Sequence, residues 1–151
     1  MTRGLARIGS GVLSVVGLLA AAPAIADDVG NDPACIEIRT FAQFDAPAVR
    51  THERGPDPND PLGQTQTSDL SLASVPCQIE ASDIATELMC GGTIDPNDFA
   101  GLAAFTRDCT ADLTTKTSTA NEGRRYYFWY RSGVMLKMSN TGNALTMRFV
   151  Y

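Results

Sequence analysis

The sequence predicts an α+β domain: an antiparallel sheet that ends in a three-stranded C-terminal meander, about residues 124–151, packed on two short helices and stabilised by disulfides. The main observation is a run of aromatic residues, Tyr126 to Tyr130, followed by alternating apolar and polar residues up to Tyr151. Strict alternation is typical of strands, since successive side chains point to opposite faces of a sheet.

Two turn-forming segments divide this stretch. Ser132-Gly133 and the segment from Asn140 to Asn143 contain the Gly and Asn residues that hairpin turns favour. A two-residue loop at Ser132-Gly133 aligns Trp129 with Leu136. The second turn then aligns Leu136 with Met147.

These two registers sort the meander into two faces. The predicted apolar face contains Tyr127, Trp129, Val134, Leu136, Met138, Leu145, Met147, Phe149 and Tyr151. The other predicted face is aromatic and basic, with Tyr126, Phe128, Tyr130, Met135, Lys137, Thr146, Arg148 and Val150. Trp129 is therefore expected in the core.

The N-terminal segment has the pattern of a secretory signal peptide, predicted over residues 1–26. Arg3 and Arg7 give a positive start, Val12–Ala22 is apolar, and Ala24–Ala26 is an A-x-A cleavage site. The apolar run is shorter than the roughly 20 residues that a membrane-spanning helix needs. We therefore expect one exported domain over residues 27–151, periplasmic or secreted and bacterial in character, with no transmembrane segment after signal removal.

Charge is distributed unevenly along this predicted domain. Residues 27–112 carry 16 acidic and four basic side chains, hence −12, whereas residues 113–151 carry one acidic and six basic side chains, hence +5. A basic sheet is therefore expected to face acidic groups, either within the molecule or across an interface.

The four cysteines of the chain, Cys35, Cys77, Cys90 and Cys109, lie beyond the predicted signal peptide. An even number in an exported protein predicts two disulfides. Of the three possible pairings we favour Cys90 with Cys109 and Cys35 with Cys77. No C-x-x-C motif is present and His52 is the only histidine, which argues against a redox or zinc site.

The remaining elements follow from local patterns. Expected are a strand over Cys35–Phe41, a long loop at about 45–74, a strand over Val75–Ala81, a helix from Ser82 or Asp83 to Met89, a helix from Pro96 to Cys109 and a strand over Ala111–Thr119. Asp95 and Asp98 are explained as N-terminal helix residues and not as metal ligands, so no metal and no cofactor is predicted.

The sequence contains no recognisable catalytic motif. His52 beside Glu53 is interpreted as exposed and uncoupled. We therefore expect a binding protein that is not an enzyme; a small hydrolase with paired carboxylates remains an alternative, because such pairs follow no spacing rule.

The aromatic and basic face gives the expected ligand site, formed by Tyr126, Phe128, Tyr130, Lys137 and Arg148. Aromatic rings beside cations suit an envelope glycan, an anionic lipid or an acidic protein; nucleic acid is not expected in this compartment. A third hypothesis is Cu(I) binding by Met138, Met147 and Trp129, since thioethers are soft ligands. The alternative for the face is that the helices cover it as core.

Overall fold

The computed structural model describes residues 29–151, so the predicted signal peptide lies outside the described residues. The elements are α1 Pro33–Phe41, α2 Ala46–Arg50, β1 Glu53–Pro56, β2 Thr65–Leu72, β3 Val75–Ala81, β4 Thr86–Thr93, α3 Phe99–Cys109, β5 Thr114–Ala120, β6 Arg125–Tyr130, β7 Met135–Thr141 and β8 Ala144–Val150. No helix among the described residues is both long and apolar enough to cross a bilayer.

All strands join one eight-stranded antiparallel sheet in the order β1-β2-β3-β4-β8-β7-β6-β5. The predicted α+β class, the sheet and the C-terminal meander are thus confirmed. Strands β1 to β4 form one meander and β5 to β8 form a second. The two meanders meet where β4 pairs with β8, and α3 connects them along the chain.

The buried side chains of the three helices form one hydrophobic cluster with one face of the sheet, which we call the inner face. Ile38 of α1, Val49 of α2 and Phe99 of α3 belong to this cluster together with Leu88, Leu136 and Phe149 of the sheet. Phe41 contacts Phe149 edge to face, with ring centroids 5.5 Å apart. The core therefore lies between the helices and the inner face.

Helix α1 occupies the segment that was predicted as a strand. Asp32 is its N-cap and accepts a hydrogen bond of 2.8 Å from the Ala34 backbone N–H, and Pro33 takes the first position, where its missing N–H costs nothing. Cys35, Ile38 and Phe41 are spaced three apart and are buried. Residues 35–41 are few enough to fit both the two-residue period of a strand and the 3.6-residue period of a helix. The N-cap Asp32 followed by Pro33 favours the helix.

The segment predicted as a helix from Ser82 to Met89 is instead a turn followed by β4. The Ser82 backbone N–H donates to the Ala85 carbonyl over 2.9 Å, and its hydroxyl accepts from the Ala85 N–H over 3.2 Å. The serine thus closes a β3–β4 hairpin and does not cap a helix. The predicted strand Val75–Ala81 is confirmed as β3. The predicted helix over Pro96–Cys109 is confirmed as α3, but it begins at Phe99 with Asp98 as its N-cap, so Asp95 and Pro96 precede it.

The expected long loop at about 45–74 contains α2, β1 and β2, so its prediction as a loop is wrong. Strand β2 lies next to the edge strand and buries little apart from Leu72, so its side chains are mostly polar. It therefore lacks the apolar alternation that predicts a strand. The predicted strand over Ala111–Thr119 is confirmed as β5, which forms the opposite edge of the sheet.

Both disulfides are present, but the pairing we favoured is wrong. Cys77 and Cys90 are cross-strand partners on β3 and β4 with their Cα atoms 4.3 Å apart. Cys35 on α1 bonds to Cys109 at the end of α3, with a Cα separation of 5.6 Å. The error follows from the secondary structure: Cys90 lies in a strand beside Cys77, and Cys35 lies on a helix that packs near α3.

Candidate ligand-binding surface

The register of the β6–β7 hairpin differs by one residue from the predicted one. Phe128 pairs with Leu136, and Trp129 pairs with Met135. The loop has three residues, Arg131 to Gly133: the Gly133 N–H donates to the Tyr130 carbonyl over 3.0 Å, and Gly133 has φ +93°. Glycine at the left-handed position of a three-residue loop is a common hairpin connection.

The β7–β8 register differs from the predicted one by two residues, which leaves the faces unchanged. Thr141 pairs with Ala144, Met138 with Met147 and Leu136 with Phe149. Gly142 has φ +60° and opens a two-residue loop. A shift of two preserves side-chain direction whereas a shift of one reverses it, so only β6 changes faces.

The reversal divides the expected ligand site between the two faces. Phe128 and Tyr130 lie on the inner face with 2% and 4% of their surface exposed. Tyr126 packs on Phe99 of α3 with ring centroids 5.5 Å apart, and burial raises the pKa of the Tyr130 hydroxyl. These three aromatic residues are therefore part of the helix-covered side, and grouping them on one face with Lys137 and Arg148 is wrong.

The aromatic residues of the opposite, outer face are Tyr127 and Trp129, both half-buried. Their rings are stacked, with centroids 5.9 Å apart and planes at 23°. The ammonium of Lys116 on β5 lies 4.9 Å from the centroid of the Trp129 ring, a cation–π contact. The expectation that Trp129 is core is therefore wrong.

Two cross-strand rows extend this cluster over the outer face. In one row Tyr127 is followed by Lys137 on β7 and Arg148 on β8. In the other, Lys116 is followed by Trp129. We call Lys116, Tyr127, Trp129, Lys137 and Arg148 the outer patch. Neighbouring strands are about 4.8 Å apart, so the outer patch spans four strands and about 14 Å.

The patch has an acidic border. Arg148 pairs with Glu87 of β4 over 2.8 Å, and Glu87 lies directly opposite Glu80 of β3. None of the ion pairs within residues 29–151 uses Lys116 or Lys137. The outer face therefore changes from cationic at β5–β7 to anionic at β3–β4, with two lysines that no carboxylate neutralises.

Glu80 and Glu87 are cross-strand partners and so bear on the hydrolase alternative, which needs two carboxylates close together. The Glu87 carboxylate is paired with the Arg148 guanidinium over 2.8 Å. Nothing in this arrangement places a substrate bond between the two side chains.

His52 does have an acidic partner, contrary to the expectation that it is uncoupled. Its Nδ1 lies 2.7 Å from Oδ1 of Asp69, and Asp69 also contacts the Arg54 guanidinium. The hydrogen bond with His52, together with Arg54, lowers the pKa of Asp69. The imidazole stacks on Phe44 with ring centroids 5.8 Å apart. This cluster ties β1 to β2.

The observed β6–β7 and β7–β8 registers also contradict the hypothesis of Cu(I) binding by Met138, Met147 and Trp129. Met138 and Met147 are direct cross-strand partners on the inner face and are 0% and 3% exposed, whereas Trp129 lies on the outer face. The three side chains cannot converge on one ion. Within residues 29–151 no group of three or more His, Cys, Asp or Glu side chains is arranged to hold a metal.

Comparison of the chain with family models, with curated proteins and with solved structures finds no match.

Lys116, Tyr127 and Trp129 lie on the surface but were not predicted as site residues. The length of the β6–β7 loop could have identified them. The segment Arg131 to Gly133 suits a three-residue loop as well as Ser132-Gly133 suits a two-residue loop. Once three residues are chosen, the aromatic alternation places Tyr127 and Trp129 beside Lys137.

Proposed function

We propose that this chain is an exported binding protein, periplasmic or secreted, that recognises an anionic glycan through the outer patch. The observation that carries the proposal is the stacked Tyr127–Trp129 pair, half-buried on a sheet face whose adjacent lysines, Lys116 and Lys137, form no ion pair with any carboxylate of residues 29–151. The N-terminal pattern and the two disulfides support export.

The patch suits a sugar that carries acidic groups. The C–H-rich face of a pyranose ring packs on an aromatic ring, and Tyr adds a hydroxyl that remains hydrated at the rim. Lys137 and Arg148 lie in line with Tyr127, where they meet a carboxylate or phosphate on the next sugar of a chain. A flat, shallow sheet face accommodates an extended polymer, since both of its ends leave the surface freely.

Lys116 contacts the indole face that a sugar ring would occupy. An exposed cation–π contact contributes only about 0.5–1 kcal/mol, so a ligand displaces the ammonium at low cost. The displaced ammonium stays near the ligand because its stem is anchored on β5, and it then pairs with an acidic group.

The test is retention of the exported protein on insoluble peptidoglycan, compared with neutral cellulose, at low and high salt. An intact mass that begins at Asp27 identifies the processed form. Trp129→Ala is expected to weaken binding about tenfold, since stacking contributes roughly 1–3 kcal/mol. Lys137→Ala is expected to weaken it several-fold and to reduce the salt dependence, because salt screens exposed charges.

Glu80→Gln is the matched control. It lies on the same face, at the acidic border, and removes a charge of opposite sign; binding is expected to stay equal or to rise slightly. Equal retention of Trp129→Ala and the unmodified protein would reject the proposal. Retention only on vesicles of anionic phospholipid, with none on peptidoglycan, would identify a membrane surface as the ligand instead.

A further inference from the structure

A second candidate site lies on the inner side of the sheet, away from the outer patch. A partly open cavity of about 310 Å³ is lined by α1, α3, the β2–β3 turn, the end of β4 and β8. Ile38, Leu102, Phe105 and Met147 form its walls. Its volume is at the lower end of the range of small-molecule sites, about 300–1,000 Å³.

The cavity lies beside Gly92, near the end of β4, where the inner face has no side chain. Cys90 and Gly92 point to the inner face, and Gly92 pairs with Leu145 of β8. A Cβ built at Gly92 meets no atom within 4 Å, so the missing side chain leaves open space between the sheet and the helices. A larger residue here would fill the volume that α1 and α3 leave open.

The chemistry of the walls selects the ligand. Among the lining residues only Thr93 carries a polar side chain. A sugar or a peptide backbone placed inside would lose its hydrogen bonds to water without replacement, which is costly. A hydrocarbon has no such groups and gains about 0.8 kcal/mol for each buried CH₂.

A carboxylate next to the cavity affects which charge a ligand can carry. The Glu37 carboxylate accepts a hydrogen bond of 2.7 Å from the backbone N–H of Ala73, and Ala73 is one of the lining residues. A negative charge therefore already stands beside the cavity, and it disfavours an anionic head group such as a fatty-acid carboxylate.

We infer that this cavity binds the aliphatic chain of a small uncharged amphiphile, with its polar end outside in water. The inference is independent of glycan binding, because the cavity and the outer patch lie on opposite faces of the sheet.

The probes are the n-alkanols from hexanol to decanol, titrated into the exported protein and followed by the NMR signals of the Met147 and Ile38 methyl groups. Affinity is expected to rise about fourfold for each added CH₂, the value of 0.8 kcal/mol converted at 25 °C, until the chain fills the cavity. Shifts confined to methyl groups elsewhere, or no dependence on chain length, would overturn the inference.

Gly92→Leu is expected to fill the cavity and weaken decanol binding at least tenfold. Gly91→Leu is the matched control: the Gly91 backbone also lines the cavity, but a side chain at this position would lie on the other face, where its Cβ would make an ordinary contact of 3.7 Å with the Leu145 carbonyl oxygen. Its affinity is expected to stay within twofold. Equal binding by the two variants would reject the site.

Should Gly92→Leu fail to fold, Leu102→Ala provides the second test. This substitution enlarges the cavity, so the longest alkanol that still gains affinity is expected to be longer than for the unmodified protein. An unchanged chain-length limit would count against the site.

Discussion

The two faces of this sheet differ in what their aromatic residues do, although those residues alternate along one strand. On β6, Phe128 and Tyr130 are 2% and 4% exposed beneath the helices, whereas Tyr127 and Trp129, which alternate with them, are half-buried beside lysines. Residue type alone therefore does not separate core from surface here. The length of the loop between β6 and β7 separates them, since one residue more or less in that loop would exchange the buried and the surface aromatic residues of β6.

The largest expected effect comes from substituting neighbours on the two faces. Phe128→Ala removes a buried ring from the core and is expected to lower the free energy of unfolding by about 3–5 kcal/mol. Trp129→Ala, on the outer face, is expected to lower it by no more than about 1 kcal/mol. Urea unfolding midpoints of the two variants measure the difference. Equal losses would mean that the outer face is covered as well.

The second expected effect is the loss of stability on removing each of the two disulfides. Replacing both Cys35 and Cys109 by Ala opens a link between residues 74 apart and is expected to destabilise the protein by about 4 kcal/mol in the chain-entropy treatment. Replacing Cys77 and Cys90, 13 residues apart, is expected to destabilise it by about 3 kcal/mol.

Thermal unfolding of the two double variants compares these contributions. Since Cys35–Cys109 ties α1 to α3, its loss is also expected to increase exposure of the inner face to an apolar dye, whereas loss of the β3–β4 link is not. The reverse order of dye binding would contradict the assignment of the helices as the cover of that face.

The smallest expected effect is a pH dependence of stability that comes from the ion pair between Arg39 of α1 and Asp112, just after α3. Arg39 holds Asp112 through two hydrogen bonds of 2.6 and 2.8 Å and also donates to the Cys109 carbonyl. These contacts, the hydrogen bonds first, lower the pKa of Asp112 to about 2. The ordinary value is about 3.9.

A depressed pKa in the folded state stabilises the protein above the unfolded-state value, and this contribution is lost as the pH falls through the folded-state value. The pair is exposed to solvent, so its contribution is expected to be at most about 1 kcal/mol. The stability difference between the unmodified protein and Asp112→Asn should therefore decrease from pH 5 to pH 2. A difference that stays constant over this range would refute the role of the charged pair.

The sequence predicted those elements whose local signals agree with their tertiary surroundings. Strands β3 and β5 to β8 alternate, and α3 follows an Asp-Pro-Asn-Asp start in which the Asp95 carboxylate accepts a hydrogen bond from the Asn97 N–H over 2.8 Å. The cysteines were correctly expected to be oxidised, although paired differently.

The elements that could not be predicted have ambiguous local signals that distant contacts resolve. Residues 35–41 alternate apolar and polar side chains as a strand does, but they also place Cys35, Ile38 and Phe41 on one face of a helix, and this is the face that the core buries. The polar strand β2 is fixed by its pairing with β3 and not by its own composition. The outer patch was missed for the same reason, since its membership depends on a loop whose length only the completed sheet determines.

The junction between β4 and β8 has a consequence for how this chain reaches its folded state. Strand β8 comes after all the other described strands in the sequence, yet it occupies a central position in the sheet. Pairings between residues far apart in sequence form slowly, because a long segment must be closed before any contact forms. Until β8 has left the ribosome the two meanders have no common strand, and α1 has no continuous surface to cover. A chain with this strand order is therefore expected to complete its sheet only when β8 is available to pair with both β4 and β7.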